Sequence, residues 1–236
     1  MPFSGIETRG QDFSRKSFTG ETIADAVFDS CLFPKSAFRD CMFRRVLFHA
    51  CDARRASFDA CSFEEAHFTE CDLSSARFQG VHAPGISFTE CALHKSIWDQ
   101  SQFPGLVIAS GEFDGAVFTC CLLEDLRLEM CKGSRLKMRE CTLTRAMIQG
   151  CELRKAALTN CAVDFSRMEH TDLRGARFSG LAASGVVWDP VQLDGARFTD
   201  CVFTGSAVRA DDVNPEARGL VFIHDAGHAD HGTNGR

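Results

Sequence analysis

Residues 38–68 read FRDCMFRRVLFHACDARRASFDACSFEEAHF. An apolar residue returns every five positions, at Phe38, Phe43, Phe48, Ala53, Phe58, Phe63 and Phe68, and a cysteine every ten, at Cys41, Cys51 and Cys61. Neither spacing belongs to an ordinary element, since a helix repeats near 3.6 residues and a strand at 2. A fixed longer period is the mark of a repeat architecture.

The period extends far beyond this stretch. From Phe13 to Val208 every residue number ending in 3 or 8 is a centre of the repeat; 39 of these 40 positions are apolar, 18 of them Phe, and Gly133 is the exception. Two residues before each centre lies a smaller position, which holds twelve of the 13 cysteines. From Ala26 to Ser206 that position accepts only Cys, Ala, Ser, Thr, Gly, Val, Ile or Leu. Gln11, Lys16 and Glu21 before this run and Asp211 after it are polar, so the buried stack is expected to fray there. Gly133 at a centre and Gly111 in a small position predict that the intervening coils are the loosest.

Turns fall between the centres. Pro84-Gly85 and Pro104-Gly105 occupy the two middle positions of four-residue turns. Proline presets φ at the first of these positions, and glycine accepts the positive φ that a type II turn needs at the next. Each five-residue unit is therefore a short extended piece followed by a corner. Cysteine gives the number of corners per coil. Cys31, Cys51, Cys71, Cys91, Cys131 and Cys151 share one phase of a 20-residue period, while Cys41, Cys61, Cys121, Cys141, Cys161 and Cys201 share the phase ten residues away. A four-sided coil places these sets in two opposite columns; a three-sided coil scatters them. Phe18, Phe38, Phe58 and Phe78 form one column of centres and Phe28, Phe48, Phe68 and Phe88 another, both read as core rather than as a surface for nucleic-acid bases.

With CDLSS at 71–75, ASFDA at 56–60, ARFQG at 76–80 and ARFTD at 196–200, the chain resembles the pentapeptide-repeat family, whose motif is often written A-(D/N)-L-x-x. The resemblance covers residues 11–210. It implies an all-β fold, a right-handed quadrilateral β-helix of about ten coils of 20 residues with a solid core. Residues 1–10 are then a lead-in and 211–236 a C-terminal cap and flexible tail. Ten coils at a strand spacing of about 4.8 Å make a rod about 48 Å long.

Composition sets further bounds. The 236 residues carry a net charge of −6, which speaks against direct contact with nucleic acid or an anionic membrane. No stretch approaches the roughly 18 apolar residues of a membrane span. The start, MPFSGIETRG, lacks a charged segment followed by an apolar run, so cytoplasmic localisation and reduced thiols are expected. No C-x-x-C occurs, and the cysteine spacing puts thiols in separate coils, so core packing is the expected role and no metal or cofactor is expected. Cys120 falls on a turn and should be exposed. His224, His228 and His231 lie in the tail without a scaffold to fix ligand geometry. There is no nucleophile elbow, P-loop or dinucleotide fingerprint, and a rod offers no evident cleft for catalysis, so the protein is not expected to be an enzyme.

Charge is distributed unevenly over the four sides. With the unit around Phe13 on the first side, the third and fourth sides together carry 13 acids and 6 bases, the first and second 13 acids and 17 bases. The candidate partner-binding residues are Glu64, Glu65, Glu124, Asp125 and Asp164 on the third side, with Asp29, Glu70, Glu90, Glu129, Glu169 and Asp189 on the fourth. Val27, Leu47, Val107, Met147 and Val187 are interspersed at outward positions of the fourth side. Some members of the family mimic DNA and protect DNA gyrase or topoisomerase IV from quinolones or toxins. The resemblance therefore implies a non-enzymatic protein-binding solenoid with such a partner. The match in charge is partial: a duplex about 48 Å long carries roughly 28 negative charges, whereas residues 11–210 hold 26 acids against 23 bases. The alternative is a structural or interaction scaffold with another protein partner, such as a secretion-system or signalling component. Several relatives dimerise through a C-terminal helix; here Asn214 as N-cap and Pro215 at the first helical position offer a short one, making the C-terminal end the candidate homodimer contact.

Overall fold

A computed structural model of the protein describes residues 5–206 and 218–223. The described residues are all strand, turn and bend, wound into a right-handed β-solenoid of about ten coils, with every coil the template for the next. Parallel pairs join residues 20 apart throughout this stack: Phe18 with Phe38, Phe28 with Phe48, Phe58 with Phe78, Leu143 with Val163. The second and fourth sides are regular three-residue strands, such as Ser57–Asp59 and Ser87–Thr89. The first side pairs through single bridges, Asp12 to Leu32, Leu32 to Asp52 and Asp52 to Asp72. In the early coils the strand runs through the corner between third and fourth sides, giving the eight-residue strands Thr22–Asp29, Met42–His49 and Ser62–Thr69.

The corners are where the backbone is strained. Residue numbers ending in 0 or 5 take positive φ, at Gly85 (+68°) and Gly105 (+70°) and also at 27 non-glycine residues, among them Glu70, Met130 and Phe165. A non-glycine residue in this region costs about 1 kcal/mol or more. The conformation persists because it aims the corner N–H along the rod axis. Ser30 N donates to His49 O, Lys35 N to Arg54 O and Glu70 N to Thr89 O, each at 2.9 Å. On the first side the turn is also closed on itself, as in Ala56 N to Ala53 O at 3.0 Å. There the carboxylate before the centre caps its own turn, accepting from Arg54 N (3.0 Å) at Asp52 and from Ser74 N (2.9 Å) at Asp72. Such a bond is the reason Asp favours turns. Buried Asp172 does the same with Arg174 N and also receives the Arg154 and Arg174 guanidinium groups, which hold its carboxyl far below the usual carboxylate range.

The coil spacing fixes the core. Rings 20 residues apart stack in near-parallel planes, their centroids too far apart for a direct sandwich: Phe38 on Phe58 at 5.1 Å, Phe58 on Phe78 at 5.0 Å and Phe48 on Phe68 at 4.5 Å. Neighbouring columns meet edge to face, as between Phe43 and Phe58. Both geometries suit the ring quadrupole. Trp98 continues the Phe78 column at 4.2 Å, and its buried indole N–H donates to Ser96 Oγ at 2.8 Å. At the N-terminal end Lys16, a polar residue in a small position, places its ammonium 5.2 Å from the Phe13 ring.

Two findings depart from the sequence reading. Gly133 does not loosen the core: a Cβ built there would lie 2.0 Å from Phe113 Cε2, so the Phe113 ring occupies the missing side chain's place. Gly111 is filled likewise by Ile108, whose Cγ2 would be 2.8 Å from an added Cβ. Within the segment read as cap and tail, Arg218–Ile223 forms a strand on Arg197–Thr204, pairing Cys201 with Leu220 and Phe203 with Phe222. The spacing there is 19 residues, one short of the register elsewhere. Asn214, Pro215 and the tail histidines lie outside the described residues.

Gly133→Ala should therefore cost about 1–3 kcal/mol by overpacking. Phe113→Leu should relieve part of that cost, which a double-mutant cycle in urea measures. Strict additivity of the two changes would contradict the ring-filling account.

Candidate partner-binding surface

Five of the eleven candidate acids lie at the corner where the third and fourth sides meet, and the other six toward the far edge of the fourth side. Register groups them into columns. Glu64, Glu124 and Asp164 share one line, and Glu65 and Asp125 the adjacent line at the positive-φ corner. Asp29, Glu129, Glu169 and Asp189 share a line across the fourth side, with Glu70 and Glu90 at its far corner. No line is acidic throughout.

Arginines one coil away neutralise part of this surface. Arg45 holds Asp25 bidentately at 2.6 and 2.9 Å, and Arg145 holds Asp125 at 2.8 and 3.0 Å while also meeting Glu124. These contacts lower the pKa of both aspartates. Asp29 is bound by Arg9 at 3.0 Å and by His49 Nδ1 at 3.0 Å, which lowers the carboxyl and raises the imidazole. Glu169 pairs with Arg167, and Glu70 lies 3.8 Å from His49 Nε2. Among the described residues Glu64, Glu65, Glu90, Glu129, Asp164 and Asp189 form no ion pair. The uncompensated charge is thus a subset of the acids that the sequence singled out.

Two apolar side chains on this surface escaped the sequence reading. Phe165 is 68% exposed at the corner between third and fourth sides, and Met130 is 71% exposed at the corner leaving the fourth. Each leans along the rod over the glycine of the next coil. A Cβ added at Gly185 would meet Phe165 Cδ1 at 2.8 Å, and one at Gly150 would meet Met130 Sδ at 2.6 Å. Their signal was their number, ending in 5 and 0, which puts any side chain on an outward corner. Val27 and Leu47 are half-buried and floor an open hollow of about 270 Å³ rimmed by Asp25, Arg45, Glu65 and His67.

Phe38, Phe48, Phe58, Phe68, Phe78 and Phe88 are buried, and so are Cys31, Cys41, Cys51, Cys61, Cys71, Cys91, Cys121, Cys131, Cys141, Cys151, Cys161 and Cys201. The small position beside the first and third sides is also a donor position. Cys51 Sγ donates to Phe28 O (3.2 Å), Cys71 to Phe48 O (3.3 Å) and Cys131 to Ile108 O (3.1 Å). Ser166 and Thr171 donate in the same manner, to Leu143 O and Ile148 O, both at 3.4 Å. Cysteine suits the place because it combines small volume, apolar character and a weak donor. Burial pushes the Cys61 thiol up to about 12, keeping it protonated. Among the described residues no group of three or more His, Cys, Asp or Glu is placed to hold a metal ion.

A four-sided parallel solenoid of five-residue units, with centres inward and corners at positive φ, defines a pentapeptide-repeat β-helix. The chain belongs to the pentapeptide-repeat family: the profile for the pentapeptide repeat region matches residues 21–96 and that for pentapeptide repeats (8 copies) matches residues 151–187. A trypsin-treated form of QnrB1, a plasmid-mediated fluoroquinolone resistance protein, is similar in structure at a TM-score of 0.55 and 17% identity, covering 92% of each chain. HetL, a pentapeptide repeat protein involved in heterocyst differentiation regulation in Nostoc sp. strain PCC 7120, aligns at a TM-score of 0.44 and 14% identity over 80% of this chain and 85% of that one. No curated protein matches the sequence.

The exposed thiol of Cys120 sits 3.5 Å from Glu140, and slight desolvation together with that carboxylate raises its pKa. In native protein one thiol, Cys120, should react with a thiol reagent, faster as pH rises. The other twelve should react only in denaturant. Rapid native labelling of Cys51 or Cys141 would contradict the buried columns.

Proposed function

We propose that the protein is a non-enzymatic, cytoplasmic protein-binding rod whose third and fourth sides occupy the DNA-binding groove of DNA gyrase or topoisomerase IV. The observation that carries this reading is the segregation of charge: 13 acids against 6 bases on these sides of the solenoid. The rod is about 48 Å long at the strand spacing of parallel sheets. The resemblance to QnrB1 in fold supports the choice of partner. Arginine pairing leaves Glu64, Glu65, Glu90, Glu129, Asp164 and Asp189 as the charges available to a cationic groove. Charge of this kind chiefly sets encounter rate and orientation. Phe165, exposed beside Asp164, supplies an aromatic anchor of the type that dominates interface energetics.

The test is binding to, and inhibition of, purified gyrase and topoisomerase IV at several salt concentrations. Charge reversal of Glu64, Glu90 and Glu129 to Lys should weaken binding at least tenfold and flatten its salt dependence, with circular dichroism unchanged. Phe165→Ala should raise the dissociation rate with little change in association. If the wild type binds neither enzyme, the partner is another protein and the DNA-mimic reading fails.

A further inference from the structure

The four corner columns share the positive-φ backbone at every described position but Pro190, and differ in chemistry. Leaving the first side, the column reads Arg15, Lys35, Arg55, Ser75, Lys95, Gly115, Arg135, Lys155, Gly175, Gly195. It holds six cations and no acid. Leaving the second side, the column Gly20 to Asp200 holds three acids and no base; leaving the third, Asp25 to Gly205 holds three acids and two bases; leaving the fourth, Ser30 to Pro190 holds two acids and no base. Positive φ does not select lysine or arginine, because the other three corners meet the same demand without such a run. Averaging charge over whole sides hides this column, since the first side also carries the turn-capping aspartates.

The geometry makes it a continuous line, one step per coil. Arg15 N donates to Pro34 O (3.0 Å), Lys35 N to Arg54 O (2.9 Å), Arg55 N to Ser74 O (3.0 Å) and Lys155 N to Arg174 O (3.0 Å), so each corner sits directly below the next. From Arg15 to Lys155 there are seven steps, about 34 Å at the strand spacing. All six cations are exposed, and among the described residues none forms an ion pair. The stems of Lys95 and Lys155 lie along the line: a Cβ added at Gly115 would meet Lys95 Cγ at 3.7 Å, and one at Gly175 would meet Lys155 Cγ at 3.5 Å. Of the first-side acids, Asp52 and Asp72 are engaged by Arg54, Glu112 by Lys132 and Asp172 by Arg154 and Arg174, while Asp12, Asp114, Glu152 and Asp194 form no ion pair among the described residues. Two residues further along the chain, Arg77, Lys137, Arg177 and Arg197 add charge on the second-side flank.

We infer that this ridge binds the phosphate backbone of a single-stranded nucleic acid. A line of cations along a convex corner fits a flexible linear polyanion, whose successive phosphates can follow it. One strand of a duplex winds around its own axis and leaves such a ridge. A membrane would require charges spread over a plane, whereas the two sides fall away from this corner. The ridge lies diagonally opposite the acidic corner, so both surfaces are available at once. The ridge has no exposed aromatic ring for base stacking, so binding is read through charge and carries little sequence preference.

The experiment uses the full chain and a fluorescein-labelled 20-nucleotide single strand, with anisotropy measured from 50 to 200 mM salt. The triple substitution Arg55→Gln, Lys95→Gln, Lys155→Gln should reduce affinity at least tenfold at 50 mM salt and lower the log–log salt slope by about 2, at about 0.7 per lost single-strand phosphate contact. The equally charged triple Arg44→Gln, Arg127→Gln, Arg139→Gln, at exposed positions off the ridge, should stay within about twofold of the wild type. Thermal melts establish that both variants fold, and Asn in place of Gln, which tolerates positive φ better, replaces any ridge variant that does not. Four results would each overturn the inference: no binding by the wild type at 50 mM salt, equal losses in the two triples, tighter binding of a 20-base-pair duplex than of the single strand, or equal binding of polyglutamate or of phosphatidylserine vesicles.

Discussion

The structure depends on one constraint, the parallel pairing of every residue with the residue 20 positions on. Pairing at that distance brings like onto like. It turns a periodic sequence into columns of phenylalanine, columns of thiols, lines of capping aspartate and lines of corner residues. Stacked rings at the strand spacing recover aromatic attraction in addition to burial, and the corner amides find acceptors only in the coil above. Each coil touches its neighbours alone, so stability accumulates along one dimension. The cost is backbone strain at nearly every corner, which the axial hydrogen bonds offset.

Polar groups inside such a rod have few places to go, and the sequence provides for most of them, the buried indole N–H of Trp188 being the exception among the described residues. The buried thiols, Ser166 and Thr171 donate to carbonyls two residues back or in the previous coil. Ser96 takes the Trp98 indole N–H, and Asp172 is satisfied by its own turn and two arginines. Cysteine at the small position is thus a packing choice with a hydrogen-bonding bonus, and the one exposed thiol, Cys120, lies on a corner instead.

The fold was legible because its information is periodic: centres at every fifth residue and cysteines at every tenth define sides and coils without any long-range inference. What the sequence hid was local compensation. Gly133 reads as a gap, but which neighbour fills it depends on the rotamer of Phe113. The last strand was missed because its spacing slips by one residue, so Leu220 and Phe222 fall off the numbered register. The acidic candidates were placed on the correct sides by counting, yet Arg45 and Arg145, one coil away, cancel their neighbours. The basic corner was present in the register from the start and was concealed by summing over whole sides. Exposed Phe165 and Met130 lie at corner positions, which carry neither the apolar period of the centres nor the cysteine period, so nothing periodic in the sequence marks them.

Function on a rod of this kind is a matter of which columns face outward. The acidic corner and the basic ridge are opposite edges of one scaffold, and both exist only if the coil closes after four sides. Disulfide trapping tests that closure directly. In a Cys120→Ser background, Ser57→Cys with Arg77→Cys places two thiols on adjacent strands, about 4.8 Å apart at Cα and within the usual reach of a disulfide. Ser57→Cys with His82→Cys places them on different sides. Mild oxidation followed by tryptic peptide mass analysis should show a cross-link in the first pair and none in the second. A cross-link in the Ser57/His82 pair, with none between positions 57 and 77, would contradict the four-sided coil.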